Sequence, residues 1–241
     1  MIALQRRKGD EEMDIKLHYR EKGSGEPLIL LHGNGESGSY FIHQLNYFSK
    51  WYRVIAVDTR GHGFSPRGLA PFTIRQFAED LRCFMDEQEI ERAHILGFSD
   101  GGNIALTFAL KYPERVDRLI LNGANLNSGG VKPTVQIPIE VGYRFVSRFA
   151  KKSPNAQRKA ELLCLMVEEP NIKPEELIGL SVKTLVIAGT RDMIKEGHTR
   201  MIAESLPDAE LVFIRGNHFV ANQNSLDFNQ AVIKFLIKRE K

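Results

Sequence analysis

Cysteine is scarce in this sequence, and long apolar runs are missing. Only two cysteines occur, Cys83 and Cys164, and neither belongs to a closely spaced pair. This argues against a disulfide-stapled secreted scaffold and predicts a cytoplasmic protein. Residues 1–8 carry charges but lack the apolar core of a secretory signal. No apolar stretch approaches the roughly 18 residues of a membrane-spanning helix, so we expect no membrane partner.

A strong excess of one charge is also missing. The chain has 33 Lys and Arg against 30 Asp and Glu, a formal net charge of +3. Basic residues are scattered apart from a short run at residues 6–8 and a stretch at 144–159. Solvated faces explain both better than a nucleic-acid site does. At 241 residues, the chain is the size of a single domain covering residues 1–241.

Short apolar runs alternate with amphipathic segments, which is typical of a parallel sheet with helices on both faces. Val, Ile and Leu runs predict strands at residues 28–31, 54–57, 94–97, 119–121, 185–188 and 211–214. Apolar periodicity predicts helices at residues 74–89, 101–111, 195–205 and 225–238, the first with Thr73 as its N-cap. Residues 15–19 alternate apolar with polar side chains, which predicts an antiparallel strand paired with residues 2–7.

The alternation breaks between residues 125 and 180. This stretch has no convincing strand, and five prolines separate short helical patterns. It predicts a helical insertion late in the sheet, placed where it can cover a functional site as a lid. Phe145 and Phe149 lie at helical spacing there and are candidate substrate contacts, although simple packing of the helices explains any single such residue better.

The sequence Gly97-Phe98-Ser99-Asp100-Gly101 connects a predicted strand to a predicted helix. This is the G-x-S-x-G pattern in the strand–turn–helix context that exposes a nucleophilic serine. Glycines two residues to either side remove side chains that would collide across so tight a turn. A plain glycine-rich turn is the alternative interpretation. A serine hydroxyl is a weak nucleophile, so it also needs a base and an orienting acid.

Chain order and strand ends select the base and the acid. Asp192 follows one predicted strand and His218 follows the next, so both should reach the sheet edge that carries Ser99. His198 is the rival base, but its predicted helix suggests a surface residue. His94 is expected in the core, and His43 carries no motif. Among the competing acids, Asp208 and Asp227 lie in helix or turn patterns, and Glu196 is the weak competitor to Asp192.

The loop His32-Gly33-Asn34-Gly35 supports two interpretations. Backbone N–H groups of Asn34 and Asp100 could bind an oxyanion formed at the serine. Gly33-x-Gly35-x-x-Gly38, with Asp58 ending the next strand, also matches a dinucleotide fingerprint. An NAD(P)-dependent oxidoreductase is thus the runner-up, but it leaves the serine, histidine and aspartate without a role.

Residues 58–65, which include His62 and Ser65, form a second glycine-rich segment after a strand. A tight turn explains these two residues better than catalysis does. With His32 nearby in pattern, a zinc site is conceivable, but no ligand set with metal spacing accompanies them. We therefore expect neither a metal nor a cofactor.

Together, the segments at residues 32–35, 58–65, 97–102, 189–192 and 216–219 resemble the α/β-hydrolase superfamily over most of the chain. The resemblance implies the α/β-hydrolase fold and a catalytic Ser99, His218 and Asp192. Ser99-Asp100-Gly101-Gly102 is similar to the valacyclovir-hydrolase branch, which includes small carboxylesterases. That similarity implies that Asp100 binds a substrate ammonium group. Complementing the helix dipole is an equally good explanation of this acid.

These observations predict a serine hydrolase that cleaves a small carboxylic ester through an acyl-enzyme on Ser99, with an aminoacyl ester as the narrower candidate. Phe98 and Asp100 join Phe145 and Phe149 as candidate substrate contacts. A carbon–carbon bond hydrolase or a haloperoxidase-like enzyme is the alternative within the superfamily. The insertion is shorter than many lids of the superfamily, which predicts an open pocket.

Overall fold

A computed structural model describes residues 14–237 and contains a seven-stranded sheet. The strands are β1 (Tyr19–Lys22), β2 (Pro27–Leu31), β3 (Arg53–Val57), β4 (Ala93–Phe98), β5 (Val116–Asn122), β6 (Thr184–Gly189) and β7 (Ala209–Ile214). Their order across the sheet is β1-β3-β2-β4-β5-β6-β7. Only β1 pairs in an antiparallel way, so the carboxyl ends of the other six strands share one edge.

The longer connections between strands are mostly helical. The helices are α1 (Ile42–Phe48), α2 (Ile74–Glu87), α3 (Asp100–Lys111), α4 (Pro133–Ser147), α5 (Pro154–Glu168), α6 (Pro174–Leu177), α7 (Glu196–Ser205), α8 (Val220–Gln223) and α9 (Ser225–Leu236). None of those in the described part of the chain combines the length and apolar character that a bilayer crossing requires.

The sheet is buried on both faces because successive side chains of each strand point to opposite sides. Ile29 and Leu31 pack into the core shared with α2, α3 and α7. Leu28 and Leu30 pack into the core shared with α1 and α9. This explains why the central strands read as continuous apolar runs, and it confirms the predicted α/β-hydrolase architecture.

The first strand is antiparallel as predicted, but its predicted position was wrong. The strand is β1, at Tyr19–Lys22, and it pairs with β3. The ladder does not extend upstream because the His18 N–H donates to Ser65 Oγ at 2.8 Å. Ile15 and Leu17 still enter the core as predicted by their apolar character. The predicted partner segment at residues 2–7 lies outside the described residues.

The six predicted parallel strands and the four predicted helices are present, with ends shifted by a few residues. Thr73 caps α2 as predicted, its side chain accepting from the Gln76 N–H at 3.1 Å. Helix α9 is described to Leu236, and residue 238 lies outside the described residues. Cys83 and Cys164 are both half-buried.

Between β5 and β6, the prolines mostly begin helices instead of separating them. Pro133, Pro154 and Pro174 occupy the first turns of α4, α5 and α6, where a missing N–H costs no hydrogen bond. Pro138 lies inside α4 without ending it. This insertion therefore consists of two long helices and one short one, and α4 packs along α5.

Arg60 joins the segment after β3 to α2 through a buried ion pair. Its guanidinium is fully buried and donates two hydrogen bonds to Asp80, each of 2.7 Å. It also pairs with Asp14 at 2.7 Å, and this bond holds the pKa of the Asp14 carboxyl well below its ordinary value. Because Asp80 is buried as well, loss of the guanidinium would leave its charge without compensation.

We predict that Arg60→Ala lowers the free energy of unfolding by about 3–5 kcal/mol, because Asp80 stays buried without its cation. Chemical denaturation measures this loss. The matched control is Arg53→Ala, which breaks a more exposed pair with Glu21 and should cost below about 1 kcal/mol. Equal losses for the two variants would contradict the assignment of Arg60 as a buried anchor.

Candidate active site

Ser99 stands on a sharp backbone turn between β4 and α3. Its φ of +53° lies in the left-handed region that side-chain-bearing residues seldom adopt. A Cβ on Gly97 would lie 2.1 Å from the Gly101 carbonyl oxygen, and one on Gly101 would lie 2.0 Å from the Leu31 oxygen. Only glycine fits at either position, so the two motif glycines allow the turn to form against β2.

His218 connects Ser99 to Asp192 by two hydrogen bonds. Its Nε2 lies 3.0 Å from Ser99 Oγ, and its Nδ1 lies 2.7 Å from Asp192 Oδ1. A carboxylate only accepts, so Nδ1 carries the proton and Nε2 is free to accept from the serine hydroxyl. The structure thus brings together the serine, histidine and aspartate predicted from sequence, and we call them the Ser–His–Asp array.

Backbone donors hold Asp192 in place. Its two carboxylate oxygens accept from the N–H groups of Gly189 and Ile194 at 3.1 and 3.0 Å. Burial alone would raise the pKa of Asp192, but hydrogen bonds from His218 and from these N–H groups keep it below the ordinary value. Asp192 therefore stays charged and can stabilise a protonated imidazole beside it.

The loop after β2 is locked by a neutral histidine. Thr59 N–H donates to His32 Nε2 at 3.0 Å, so the proton must sit on Nδ1, which donates to the Gly33 carbonyl at 2.8 Å. Burial lowers the pKa of His32 to about 4, so this arrangement persists near neutral pH. His32 therefore sets the backbone path leading into Asn34.

Asn34 brings this loop, α3 and α5 together. Its side-chain amide donates at 2.8 Å both to Asp100 Oδ2 and to the Leu162 carbonyl oxygen. The N–H of Asp100 opens α3 and has no acceptor within that helix. The backbone segments that carry the two predicted oxyanion donors are thus held beside each other near Ser99.

A small space beside Ser99, which we call the serine pocket, is acidic. It is lined by Ser99, Asp100, Asn125, Val131, Met166, Glu169, Met193 and Ile194. Burial raises the pKa of Asp100 and also that of Glu169. Glu169 is positioned by the Ile74 N–H, which donates to its Oε2. The two lining side chains that can carry charge are both carboxyls.

The prediction of an open pocket was wrong for this structure. The serine pocket measures about 10 Å³, which is roughly the room one water needs. Helix α5 closes it, because Met166 lines the space and the Leu162 carbonyl binds Asn34. A bidentate ion pair between Arg67 and Glu161 ties the same helix to the body at 2.9 and 3.0 Å. Side chains or α5 must therefore shift for a substrate to enter.

The aromatic candidates do not line the serine pocket. Phe98 is buried, stacks on Tyr40 with ring centroids 4.5 Å apart, and lies against the His218 ring at 4.9 Å. It therefore supports the imidazole from behind. Phe145 and Phe149 lie on the outer surface of the insertion, 62% and 45% exposed. The structure does not bring these two side chains to Ser99.

The rival histidine His198 has a structural contact that its sequence position did not suggest. Its Nε2 accepts from the Leu126 N–H at 2.9 Å, and burial lowers its pKa. The prediction of a surface residue was wrong, because His198 is half-buried. It holds the chain where the insertion begins. No three His, Cys, Asp or Glu side chains within residues 14–237 are placed to hold a metal ion.

Asp58 and Ser65 are committed to the turn after β3, as predicted for Ser65. Asp58 accepts from the backbone N–H groups of Gly38 and Phe64 and bonds His18 Nδ1 at 2.8 Å. Ser65 Oγ donates to the Asp58 carbonyl at 2.6 Å. Both oxygens of the Asp58 carboxylate are thus occupied, which removes the residue that the dinucleotide interpretation assigned to a ribose.

Sequence reasoning missed two acidic side chains near the array. Glu36 lies in the loop after β2 and accepts from the Gly33 N–H at 3.3 Å. Burial raises its pKa, and the nearby His218 imidazole opposes part of this rise. The presence of an acid inside so glycine-rich a loop is a sequence signal that could have indicated Glu36. Glu169 follows α5, with no motif around it, so only the folded insertion reveals its place beside Ser99.

Comparison with known proteins identifies the family. A family model described as the alpha/beta hydrolase fold matches residues 26–158, more than half of the chain. The chain belongs to the α/β-hydrolase family. It is a hydrolase-class protein by this membership, and the dinucleotide interpretation of the loop after β2 is set aside.

Three relatives illustrate the chemistry found in this family. A 2-hydroxy-6-oxononadienedioate hydrolase of Paraburkholderia phymatum is 34% identical over 68% of this chain and 58% of its own length. A 3-oxoadipate enol-lactonase of Acinetobacter baylyi is 27% identical over 91% and 92%. The crystal structure of a meta-cleavage product hydrolase from Pseudomonas fluorescens is 28% identical, with a TM-score of 0.75 over 92% of this chain and 94% of that one. The family, but not the valacyclovir-hydrolase branch, is thereby established.

We predict that Glu36 makes stability depend on pH. Burial raises the pKa of Glu36 from 4.5 to about 7. The folded chain therefore binds more protons than the unfolded chain between these values, so this contribution to stability falls as pH rises from about 4.5 to 7. Glu36→Gln removes the effect, so the free energy of unfolding of the wild type should fall relative to this variant across that window.

Chemical denaturation at a series of pH values measures the difference. The matched control is Glu114→Gln, a change at an exposed position that should follow the wild type at every pH. Parallel profiles for the wild type and Glu36→Gln would refute the assigned role of this carboxyl.

Proposed function

We propose that this protein is a serine hydrolase that cleaves small carboxylic esters through an acyl-enzyme on Ser99. The observation that carries the proposal is the continuous chain from Ser99 Oγ to His218 Nε2 at 3.0 Å and from His218 Nδ1 to Asp192 at 2.7 Å. This is the arrangement that lets an imidazole remove a hydroxyl proton while a carboxylate stabilises the resulting cation.

In the first half of the reaction, Ser99 Oγ attacks the ester carbonyl as its proton moves to His218. The backbone N–H groups of Asn34 and Asp100 bind the oxyanion. His218 then gives its proton to the leaving alcohol as the carbon–oxygen bond breaks. In the second half, His218 takes a proton from water, water attacks the acyl group, and Ser99 regains its proton as the acid leaves.

The charge of the serine pocket supports an ester that is uncharged or cationic. Asp100 and Glu169 line this space, and no Lys or Arg does. A substrate carboxylate would meet like charge, or force both groups to stay protonated, at a free-energy cost. The relatives named for dioate and oxoadipate substrates act on carboxylates. Because two acids line the serine pocket of this chain, we expect it to prefer a substrate of different charge.

An aminoacyl ester is the narrower proposal. Asp100 was the predicted ammonium partner, but its Oδ2 accepts from Asn34, and only a 3.5 Å contact with Asn103 reaches Oδ1. Glu169 supplies a second carboxyl facing the same space. An α-ammonium group near the scissile carbonyl would therefore bind between two acids, with Glu169 carrying the greater share.

A carbon–carbon bond hydrolase is the second candidate. The named relatives of that activity support it, since the P. fluorescens meta-cleavage product hydrolase aligns along nearly the whole chain. Such enzymes hydrolyse carboxylate-bearing substrates, as the dioate in the P. phymatum name indicates. The acidic serine pocket is the feature that weighs against this candidate.

We predict that a fluorophosphonate probe labels the wild type at Ser99, and that Ser99→Ala abolishes both labelling and hydrolysis of a p-nitrophenyl ester. Because the array acts as a unit, His218→Ala should lower kcat by roughly 10³-fold or more. Mass spectrometry of the labelled peptide locates the adduct. Thr107→Ala, a change in the middle of α3, is the control for general loss of structure. Labelling at another residue would contradict the mechanism.

We predict a preference set by substrate charge. Among matched p-nitrophenyl esters, one bearing an α-ammonium group should show a kcat/KM about tenfold above its des-amino analogue, and one bearing a carboxylate about tenfold below. Glu169→Gln should reduce both differences, with Asp100→Asn having a smaller effect. An unchanged order in Glu169→Gln would remove this carboxyl from substrate recognition.

The same assay separates the two candidates. A 2-hydroxy-6-oxodienoate substrate is offered beside the neutral ester, and kcat/KM is compared for the wild type. The ester proposal requires the ester to be the better substrate. A higher kcat/KM for carbon–carbon cleavage would favour the second candidate instead.

A further inference from the structure

The outer face of α4 exposes a stripe of large apolar side chains. Ile137, Val141 and Phe145 recur every four residues and are 58%, 60% and 62% exposed, and Phe149 continues the stripe just beyond the helix at 45%. Residues at this spacing lie on one side of a helix. Single exposed apolar residues are ordinary, but a contiguous patch of this kind marks an interaction surface.

The stripe is not used by the fold itself. The opposite side of α4 faces α5, where Gln136 Nε2 donates to the Met166 carbonyl and Tyr143 OH contacts Cys164 Sγ at 3.5 Å. Gly142 brings the same side of α4 close to Leu163. Packing of the insertion is therefore satisfied from within, and the outward side chains are left facing solvent.

A basic border runs along this stripe. Arg144 lies next to Phe145 on the last turn of α4, Arg148 caps the end of this helix, and Lys151 and Lys152 follow in the short helical turn after it. All four are exposed, and none pairs with an acidic side chain of the described residues. The one acid of α4, Glu140, is half-buried and accepts from Gln136.

We propose that this face of α4, with its basic border, is a docking surface for a negatively charged lipid bilayer. A helix with apolar residues on one side and Arg or Lys beside them lies in the plane of a membrane interface, with its apolar residues among the lipid chains. Each cation near an anionic leaflet adds about a fivefold gain in binding. Both parts of this pattern are present on α4.

A second copy of the chain fits this surface less well than lipid does. A two-fold symmetric contact would place the patch against itself. The four cations of one copy would then face those of the other, with no acidic partner on the patch to offset the repulsion. This proposal concerns binding alone. It goes beyond the proposed ester hydrolysis and stands whether or not that activity is found.

It revises the expectation from sequence that no membrane partner exists. That expectation rested on the absence of a spanning segment, and a helix that lies on a bilayer needs none. Sequence periodicity alone could equally have placed Val141 and Phe145 in the core. Their exposure in the structure shows that this face of α4 lies on the surface.

Co-sedimentation with vesicles tests the proposal. The full chain should bind vesicles containing phosphatidylserine at least tenfold more tightly than vesicles of phosphatidylcholine alone, and added salt should remove most of the difference. Val141→Ser/Phe145→Ser should weaken binding about tenfold. Arg144→Glu/Arg148→Glu should weaken it at least as much at low salt.

Two matched controls keep the test specific. Leu226→Ser changes an apolar side chain that is also 62% exposed, but on α9, and Lys16→Glu/Arg20→Glu reverses two exposed cations elsewhere. Both should bind like the wild type, and thermal unfolding checks that every variant is folded. Failure of the wild type to bind acidic vesicles would overturn the proposal. A dimer in solution that Val141→Ser/Phe145→Ser converts to a monomer would also overturn the proposal, because a second copy would then occupy this face of α4.

Discussion

The backbone at Ser99 occupies a conformation that residues with side chains seldom adopt. Gly97 and Gly101 approach neighbouring carbonyl groups so closely that a single added carbon would force the segments apart. This close packing of β4, α3 and β2 places the serine hydroxyl at the sheet edge. The loops that carry His218 and Asp192 end at the same edge because β4, β6 and β7 run parallel. The chemistry proposed at Ser99 depends on that turn.

The shared scaffold and the individual pocket have different consequences. The sheet and the Ser–His–Asp array are compatible with the several reactions that the named relatives perform, so they do not select one. Selection comes from the side chains around the serine. Here the insertion brings Glu169 beside Asp100, and burial raises the pKa of both carboxyls. The substrate preference we propose follows from this local charge and from the way α5 closes the space.

Local patterns predicted the strands and the principal helices because apolar runs and helical periodicity both follow from which side chains are buried. A strand covered on two faces must be apolar throughout, and an amphipathic helix must repeat near every 3.6 residues. The prediction failed where tertiary contacts decide. The first strand begins at Tyr19 because the His18 N–H binds a serine 47 residues away. His198 is structural and not on the surface because the loop at Leu126 folds onto it.

By itself, the sequence determined the fold and predicted that Ser99, His218 and Asp192 meet at one sheet edge, because strict glycine positions and strand ends leave local signatures. Only the tertiary structure decided what surrounds them. The closed serine pocket, Glu169 beside Ser99, and the exposed stripe on α4 all depend on how one helix of the insertion lies against another and against the body. Such packing is a long-range property, and no short stretch of residues encodes it.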